Sequence, residues 1–583
     1  MRKTRLLVHA KPSPCARLCS CLITIACLLL PAIAWAAPHL GADVDLAALS
    51  PEARATELSR LAQAGVQSVR WRLDWNRVEP SPGAFTWEAD EAAVNAALAH
   101  GLEVVLILGP CAEWAVDPAR EVPADQRQFS VPKDIGAWRR YVREAASHFR
   151  GRVRHWQVRQ QPNLRNFRGT RREFLRLVAA ATQEVTAVDP QSLVIMPESG
   201  SLDIAEISRL IQSDAWSSFH VLGVYLDQRA DGLSSLALPW AVLTNEVLPA
   251  GDRAASRPLW VLGSGGSLPA EAWVQRYLLA WALGADRCYL PAAAVSSEWT
   301  AVIRGADLTG YLLLGPDVWA LAFRGEQGPF LLAWSAQEAP VPASALAPTV
   351  DGDAASKAAP VGGAPGSAVV TQGESTAFTV GPRPVLIPGL CLDAARPLPI
   401  TRADVLAARR GLDVSPSPLV YADWSMPQLP EFGLRHRDLR HLPGGIVASE
   451  ERYDRTCVRT LMRPGRGEEK EDNPWIYFDV DDRWLYFDQG KTPVAITVEC
   501  DGSFLGKQKL GFNIIYDSVS GYRFTPWQWV DAGAGWRRYR VELNDVNFAN
   551  RSGYDFHINA KGSKQDLWVA SVTVEKRPAE ELR

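Results

Sequence analysis

Residues 40–71 read LGADVDLAALSPEARATELSRLAQAGVQSVRW, and the pattern of this stretch decides the fold. Leu40–Val44 is a short apolar run, Pro51–Ala64 carries a helical period, and Gln67–Trp71 is a second short apolar run. Ser50 is a usable N-cap, and Pro51 suits the first helical position because its missing N–H would be unsatisfied there anyway. A strand followed by a helix and another strand implies parallel pairing, since the helix carries the chain back along the sheet.

The same unit recurs along the chain. Further strand candidates are Glu103–Leu108, His155–Arg159, Leu193–Met196, Val221–Tyr225, Leu259–Leu262 and Arg287–Leu290. Helical patterns fall between them at Glu91–His100, Gly136–His148, Glu173–Val188 and Glu271–Leu283, with Gly101 a fitting C-cap after His100. Eight alternations between about residues 39 and 294 predict an α/β fold, a closed (β/α)8 TIM barrel. No G-x-G-x-x-G follows the first strand, so an open dinucleotide-binding sheet has no support. In such a barrel the working residues stand at the C-terminal ends of the strands.

The chain has 583 residues, 47% hydrophobic and 22% charged, with a formal charge of −3. That balance fits a globular protein, and the lack of a long basic run predicts no nucleic-acid partner. Arg2, Lys3, Arg5, Lys11 and Arg17 precede an apolar run from Cys21 to about Ile33 and then Ala34-Trp35-Ala36. This is the layout of a secretory signal over residues 1–36, which predicts export to the periplasm or the exterior. An uncleaved anchor is the alternative. No later stretch is long and apolar enough to span a bilayer. Five cysteines lie beyond the signal, scattered and without CxxC, so a thiolate metal cage is not expected; Cys457 and Cys500 fall in one expected domain and are a candidate pair.

Several strand-end segments resemble the retaining glycoside hydrolases of the clan-A (β/α)8 type, in particular family 39 (β-xylosidase, iduronidase and bacterial exopolysaccharide hydrolases). Val69-Arg70-Trp71 through Trp75-Asn76-Arg77-Val78-Glu79-Pro80-Ser81-Pro82-Gly83 is similar to that clan's second-strand signature, continued by Phe85-Thr86-Trp87 and Asp90. Pro110 to Trp114 resembles the segment after strand three, and Trp156 through Gln160-Gln161-Pro162-Asn163 resembles the strand-four W-E-V-W-N-E-P-N. Pro258-Leu259-Trp260-Val261-Leu262-Gly263-Ser264-Gly265 resembles the strand-seven segment that bears the nucleophile. The likeness covers about residues 39–390.

The resemblance implies two catalytic carboxyls about 5–5.5 Å apart. Its acid/base position reads Gln161 here, and an amide has no proton to transfer at neutral pH. The nucleophile position reads Gly263, and the preceding sugar-binding Asn reads Gln160. Both changes together point to a degenerate site. Glu198 and Asp227, after strands five and six, are substitute carboxylates; Glu113, Asp74 and Glu298 also lie near strand ends. Asp74 is expected to pair with an arginine such as Arg70 or Arg72, and Glu79 to hold its loop. Arg70, Trp114, Gln160, Gln161, Asn163, Tyr225 and Trp299 are the expected sugar-binding residues of the barrel mouth.

Beyond the barrel, taken as residues 37–300, Val318–Phe323, Phe330–Trp334 and Ala377–Ile387 predict a small β module over 301–392. It is interrupted at about 338–374 by an Ala-, Pro- and Gly-rich insert whose composition reads as a flexible loop without a core. Residues 393–420 read as a linker with one helix at Arg402–Arg410, and 421–583 as a jelly-roll-like, carbohydrate-binding-type β-sandwich. Trp527-Gln528-Trp529 would set two indoles on one face as a sugar platform, and Asp479, Asp481 and Asp482 read as a turn rather than a Ca²⁺ site. No cofactor and no metal are expected. The whole reads as an exported, catalytically degenerate, polysaccharide-binding protein. Two alternatives stay open: an active O-glycosyl hydrolase using relocated carboxylates, and a structural partner of an envelope protein in a polysaccharide assembly.

Overall fold

The computed structural model describes residues 37–578 apart from 121, 160–166, 198–201, 226–233, 251–256, 264–267, 316–317, 336–337, 343–356, 362–366, 373–374, 390–394, 410–411, 427, 438–447, 462–473, 502–509, 532, 534 and 562–565. The signal reading at 1–36 lies outside the described residues. Eight strands, β1 (His39–Asp43), β2 (Ser68–Leu73), β3 (Glu103–Leu108), β4 (His155–Val158), β5 (Leu193–Pro197), β6 (Val221–Tyr225), β7 (Leu259–Leu262) and β8 (Arg287–Pro291), form a closed barrel in chain order. The neighbour pairs from β1–β2 to β7–β8 are parallel, as β2 with β3 over Ser68↔Glu103 to Leu73↔Leu108. β6 and β7 are buried along their whole length, which is why they read as unbroken apolar runs rather than alternating ones.

The helices start where the chemistry at their ends dictates. Ser50 caps Pro51–Gln63 by accepting from the Ala53 N–H at 3.2 Å, and Thr170 with Glu173 closes a capping box on Arg171–Val188. Ile204–Ile211 and Ser234–Val242 are helices that the sequence reading did not name; the first carries an amphipathic pattern behind an Asp203 N-cap. The second is buried from Leu236 to Val242, so it has no polar stripe to betray a helical period, and Pro239 sits inside it.

The chain divides into two compact units. One holds Ala270–Asp286 and Ser296–Pro399 with residues 37–39. Within it a five-stranded sheet includes Asp307–Gly315, Val318–Gly325, Gly328–Ser335 and Val385–Pro388, and a three-stranded sheet joins Ala339–Pro342, Ser375–Val380 and Val369–Gln372. The insert reading is corrected here: Val341, Ala358 and Ala368 lie in a buried cluster with Phe378 and Ile387, so parts of 338–374 do contribute to a core. Single Ala and Val side chains of a segment can enter a neighbouring core even where its overall composition is loop-like.

The other unit holds Leu40–Pro269, Arg287–Val295 and Ile400–Arg583, that is the barrel strands and a C-terminal sandwich. A seven-stranded antiparallel sheet includes Leu419–Asp423, Trp568–Lys576, Val494–Asp501 and Trp536–Leu543. A six-stranded one includes Trp475–Val480, Phe556–Asn559, Gly511–Ser518, Gly521–Phe524 and Gln528–Trp529. Val420, Ile496 and Val572 from the first sheet and Ile476, Phe512 and Ile558 from the second share one buried core. The helix before the sandwich runs Arg402–Ala407. Residues Phe548 to Arg551 are not a strand: Phe548 and Asn550 have φ of 42° and 52°. Sandwich and barrel meet through Arg551, whose guanidinium is 3.2 Å from Asp203 and 3.4 Å from Asp517, and through Arg209, which donates to the Val519 carbonyl. Cys457 and Cys500 are both buried free thiols, so the pair considered from the sequence does not form.

Candidate functional site

The centre of the barrel mouth is one buried guanidinium. Arg70, within β2, stands opposite Asp43, the last residue of β1, in the parallel register. Arg70 Nε and Nη2 donate to Asp43 Oδ1 and Oδ2, both at 2.6 Å. Its Nη1 donates to Gln157 Oε1 on β4 at 2.8 Å, and Nη2 also donates to the Gly263 carbonyl after β7 at 2.8 Å. The guanidinium lies 5.0 Å from the centre of the Tyr289 ring on β8. Gln157 Nε2 donates to the Arg159 carbonyl at 2.8 Å and to Tyr225 Oη on β6 at 3.2 Å. One arginine on β2 thus ties β1, β4 and the segment after β7 together, and a planar fork with five N–H donors is the side chain suited to that task.

Burial pushes the Asp43 carboxyl up, against the lowering pull of the Arg70 charge, and the net direction is upward. Burial also works against the Arg70 charge, but Asp43 more than offsets it and holds Arg70 above its ordinary value. Desolvation therefore weighs heavily on this pair, as expected where two charges leave water together.

The space beside this pair decides what position 263 can hold. A Cβ built on Gly263 would lie 2.6 Å from Asp43 Oδ2 and 2.9 Å from the Tyr289 carbonyl oxygen. The second contact is with backbone, so a side chain there requires the strand end itself to shift.

The second-strand motif is structural throughout. Asp74 is not paired with Arg70 or Arg72; it caps the short helix Trp75–Val78, accepting from the N–H groups of Asn76 and Arg77. Glu79 is wholly buried and accepts from Trp75 Nε1 and the Gly83 N–H at 2.7 Å and from Arg140 Nη2 at 2.8 Å. Asp90 accepts from Trp71 Nε1 at 3.1 Å and from Arg77 Nη2 at 2.7 Å. These bonds explain why the motif's aromatic and charged residues occur together.

The expected sugar-binding residues part company here. Arg70 and Tyr225 do reach the barrel mouth, but they are 1% and 0% exposed and spend their polar atoms on the network above. Trp114 is partly buried; its indole N–H donates to the Glu79 carbonyl at 2.7 Å and its ring packs edge-on against Trp75. Trp299 is 6% exposed and packs on Tyr277 in the other unit, so it is a core residue there rather than a stacking surface. Glu298 forms an ion pair with Arg383 in that unit, and Glu113 is exposed. Gln160, Gln161, Asn163, Glu198, Asp227 and Ser264 lie outside the described residues. Asp43, Gln157 and Tyr289 carried no role in the sequence reading. Gln157 had a signal, a polar residue inside an otherwise apolar strand run; Asp43 had only its place at a strand end.

Arg159, at the end of β4, has a left-handed backbone with φ of 61° and is 4% exposed. Its guanidinium donates to the carbonyls of Ser130 and Gln128, which pins the loop after β3, and burial lowers its pKa to about 10.

In the sandwich, Trp527 and Trp529 are 36% and 54% exposed, with ring centres 5.8 Å apart and planes 21° from parallel. Trp529 pairs with Gly511, whose missing side chain is required: a Cβ there would lie 2.8 Å from the indole. Phe524, 68% exposed, is on the neighbouring strand. Among the described residues no group of three or more His, Cys, Asp or Glu could hold a metal ion. Also among them, no helix is long and apolar enough to cross a membrane.

No protein-family model and no curated protein matches the sequence. Solved structures do. A family 39 glycoside hydrolase from Bacteroides cellulosilyticus matches with 16% identity over 60% of this chain and 81% of that one, at a TM-score of 0.44. A GH30 endoxylanase from Clostridium papyrosolvens matches with 12% identity over 60% and 96%, at 0.41. A glucosidase from Croceicoccus marinus matches with 13% identity over 94% and 97%, at 0.38.

Proposed function

We propose that this protein is an exported, glycoside-hydrolase-like glycan binder that has given up the two-carboxylate mechanism of the enzymes its strand-end motifs resemble. The observation that carries the reading is the closed space at Gly263, where a Cβ would meet Asp43 at 2.6 Å and the Tyr289 backbone at 2.9 Å. A nucleophilic Glu needs that volume, so the glycine is a packed position and not an empty socket. Gln161 in place of the acid/base residue supports the same conclusion from the sequence. Binding is supported separately by the exposed, near-parallel Trp527 and Trp529, whose flat faces suit the apolar C–H surface of a sugar ring.

The test has two arms. Glycan-array binding without release of reducing sugar is the expected result. Trp527→Ala with Trp529→Ala should weaken that binding by at least about thirtyfold, the scale of truncating a tryptophan anchor. Release of reducing sugar that disappears in Glu198→Gln or Asp227→Asn would overturn the non-catalytic reading and establish a hydrolase with relocated acids. Absence of binding to every glycan, with a protein co-purifying instead, would favour a structural role.

A further inference from the structure

Position 263 is glycine for a steric reason, and the same reason brings another carboxylate into the barrel mouth. Asp43 Oδ2 lies in the volume through which a side chain at 263 would leave the backbone, 2.6 Å from the Cβ position. Asp43 arrives there from the C-terminal end of β1, two strands from β7 once the barrel closes through β8. The two members of its ion pair are unequally placed: the Arg70 side chain is 0% exposed and the Asp43 side chain 19%. The pair therefore turns its negative edge outward. A carboxylate offers about four lone-pair sites. Arg70 takes one on each oxygen, and no other donor to Asp43 occurs among the described residues. The Arg70 donors, in turn, are aimed at Asp43, Gln157 and the Gly263 carbonyl.

We propose that Asp43 is the carboxylate with which the barrel contacts its glycan, accepting hydrogen bonds from sugar hydroxyls beside the position where the resembling hydrolases carry their nucleophile. This rests on the reading of the barrel as glycan-binding and deepens it. The chemistry selects a class of ligand. Hydroxyl groups donate to a charged acceptor, whereas a uronate carboxylate would meet like charge and find the nearest guanidinium already engaged. The ligand of this centre is a neutral oligosaccharide.

The experiment uses the full chain carrying Trp527→Ala and Trp529→Ala, so that the sandwich platform is silent and the barrel alone is read. It is titrated calorimetrically with neutral and with uronate-containing oligosaccharides at pH 7. The expected result is binding of a neutral member that weakens about tenfold on adding Asp43→Asn, the effect of exchanging a charged acceptor for a neutral one. Asparagine sets an NH₂ group against the Arg70 fork, so folding is checked by near-ultraviolet dichroism. A crystal structure with the bound neutral oligosaccharide gives a readout that needs no Asp43 variant: a sugar hydroxyl oxygen about 3 Å or less from an Asp43 oxygen. Affinity unchanged within about threefold in folded Asp43→Asn, a sugar in the barrel that does not touch Asp43, or tighter binding of uronates overturns the assignment. If the background protein binds no glycan at all, the barrel-binding reading falls with it. If it binds glycan while Asp43 is untouched, only the role of Asp43 falls.

Discussion

Replacing Arg70 by methionine tests the centre of the barrel. Methionine keeps most of the aliphatic stem and removes four hydrogen bonds, two to Asp43 and one each to Gln157 and the Gly263 carbonyl. Asp43 is left without its opposite charge. Breaking a buried pair from one side costs about 3–5 kcal/mol, because the remaining charge is uncompensated. The 19% exposure of the Asp43 side chain puts the expectation near the lower end, about 3 kcal/mol. Domains are stable by only about 5–15 kcal/mol, so the loss is large. It also depends on pH with a definite sign. Burial already raises the Asp43 carboxyl while Arg70 pulls it down; without Arg70 it rises further. A carboxyl raised in the folded state holds its proton more tightly there than in the unfolded chain. Its penalty is absent below the unfolded pKa, near about 3.9, and grows as pH climbs through the folded one. The Arg70→Met deficit should therefore be small at pH 4 and full at pH 8. Urea unfolding followed by tryptophan fluorescence measures it, with each transition fitted separately because a chain of several units need not unfold in one step. A deficit below about 1 kcal/mol, the range of a surface pair, or an equal deficit at both pH values would refute the reasoning.

Other expectations follow from single contacts. Gly263→Ala should cost about 1–3 kcal/mol by overpacking, and combining it with Asp43→Gly should recover part of that cost in a double-mutant cycle; strict additivity would mean the two positions do not share space. Gly263→Glu should lower the melting temperature rather than create a hydrolase, as thermal unfolding and a reducing-sugar assay together will show. Glu79→Ala strands Trp75 Nε1 in the interior and takes the acceptor from the Gly83 N–H and from Arg140, and should cost about 3 kcal/mol, read as a lower urea midpoint with unchanged slope. Burial lowers the His557 pKa to about 3, so the unfolded chain takes up a proton below about pH 6.5 that the folded one refuses. Relative to His557→Phe, the wild-type sandwich should lose about 1.4 kcal/mol per pH unit between roughly 6 and 4; the buried Asp479 and Asp517 carboxyls, pushed up to about 7 and about 6, act in the opposite sense in both proteins, so the difference between the two sets of melts reads the histidine.

The legible part of the fold followed from local periods. β3, β6 and β7 run over the same residues as their apolar runs in the sequence, and the other barrel strands end within two residues of theirs. Ser234–Val242 escaped because a helix buried on every side has no polar stripe, and the 338–374 insert misled because single small side chains of a loop-like segment can enter a neighbouring core. The site was legible in a different way. Arg70 and Glu79 stood out as charged residues inside motifs, and both proved to be buried and bonded to protein. Trp299 looked like a strand-end aromatic because it follows β8 closely, yet it packs on Tyr277 in another core. Sequence position gives the end of a strand but not the direction a side chain takes beyond it.

By itself, then, the amino-acid sequence determined the eightfold alternation of strand and helix, the (β/α)8 class, the strand-rich C-terminal region and the presence of Gln161 and Gly263 where the resemblance leads one to expect acids, because each of these is written in neighbouring residues. Only the tertiary structure decided what can stand at position 263. Asp43 and Gly263 are far apart along the chain and belong to no common period, and barrel closure alone brings an Asp43 oxygen to within 2.6 Å of the missing Cβ. Whether a volume is empty or filled depends on every strand that borders it, and no single stretch of sequence contains that information.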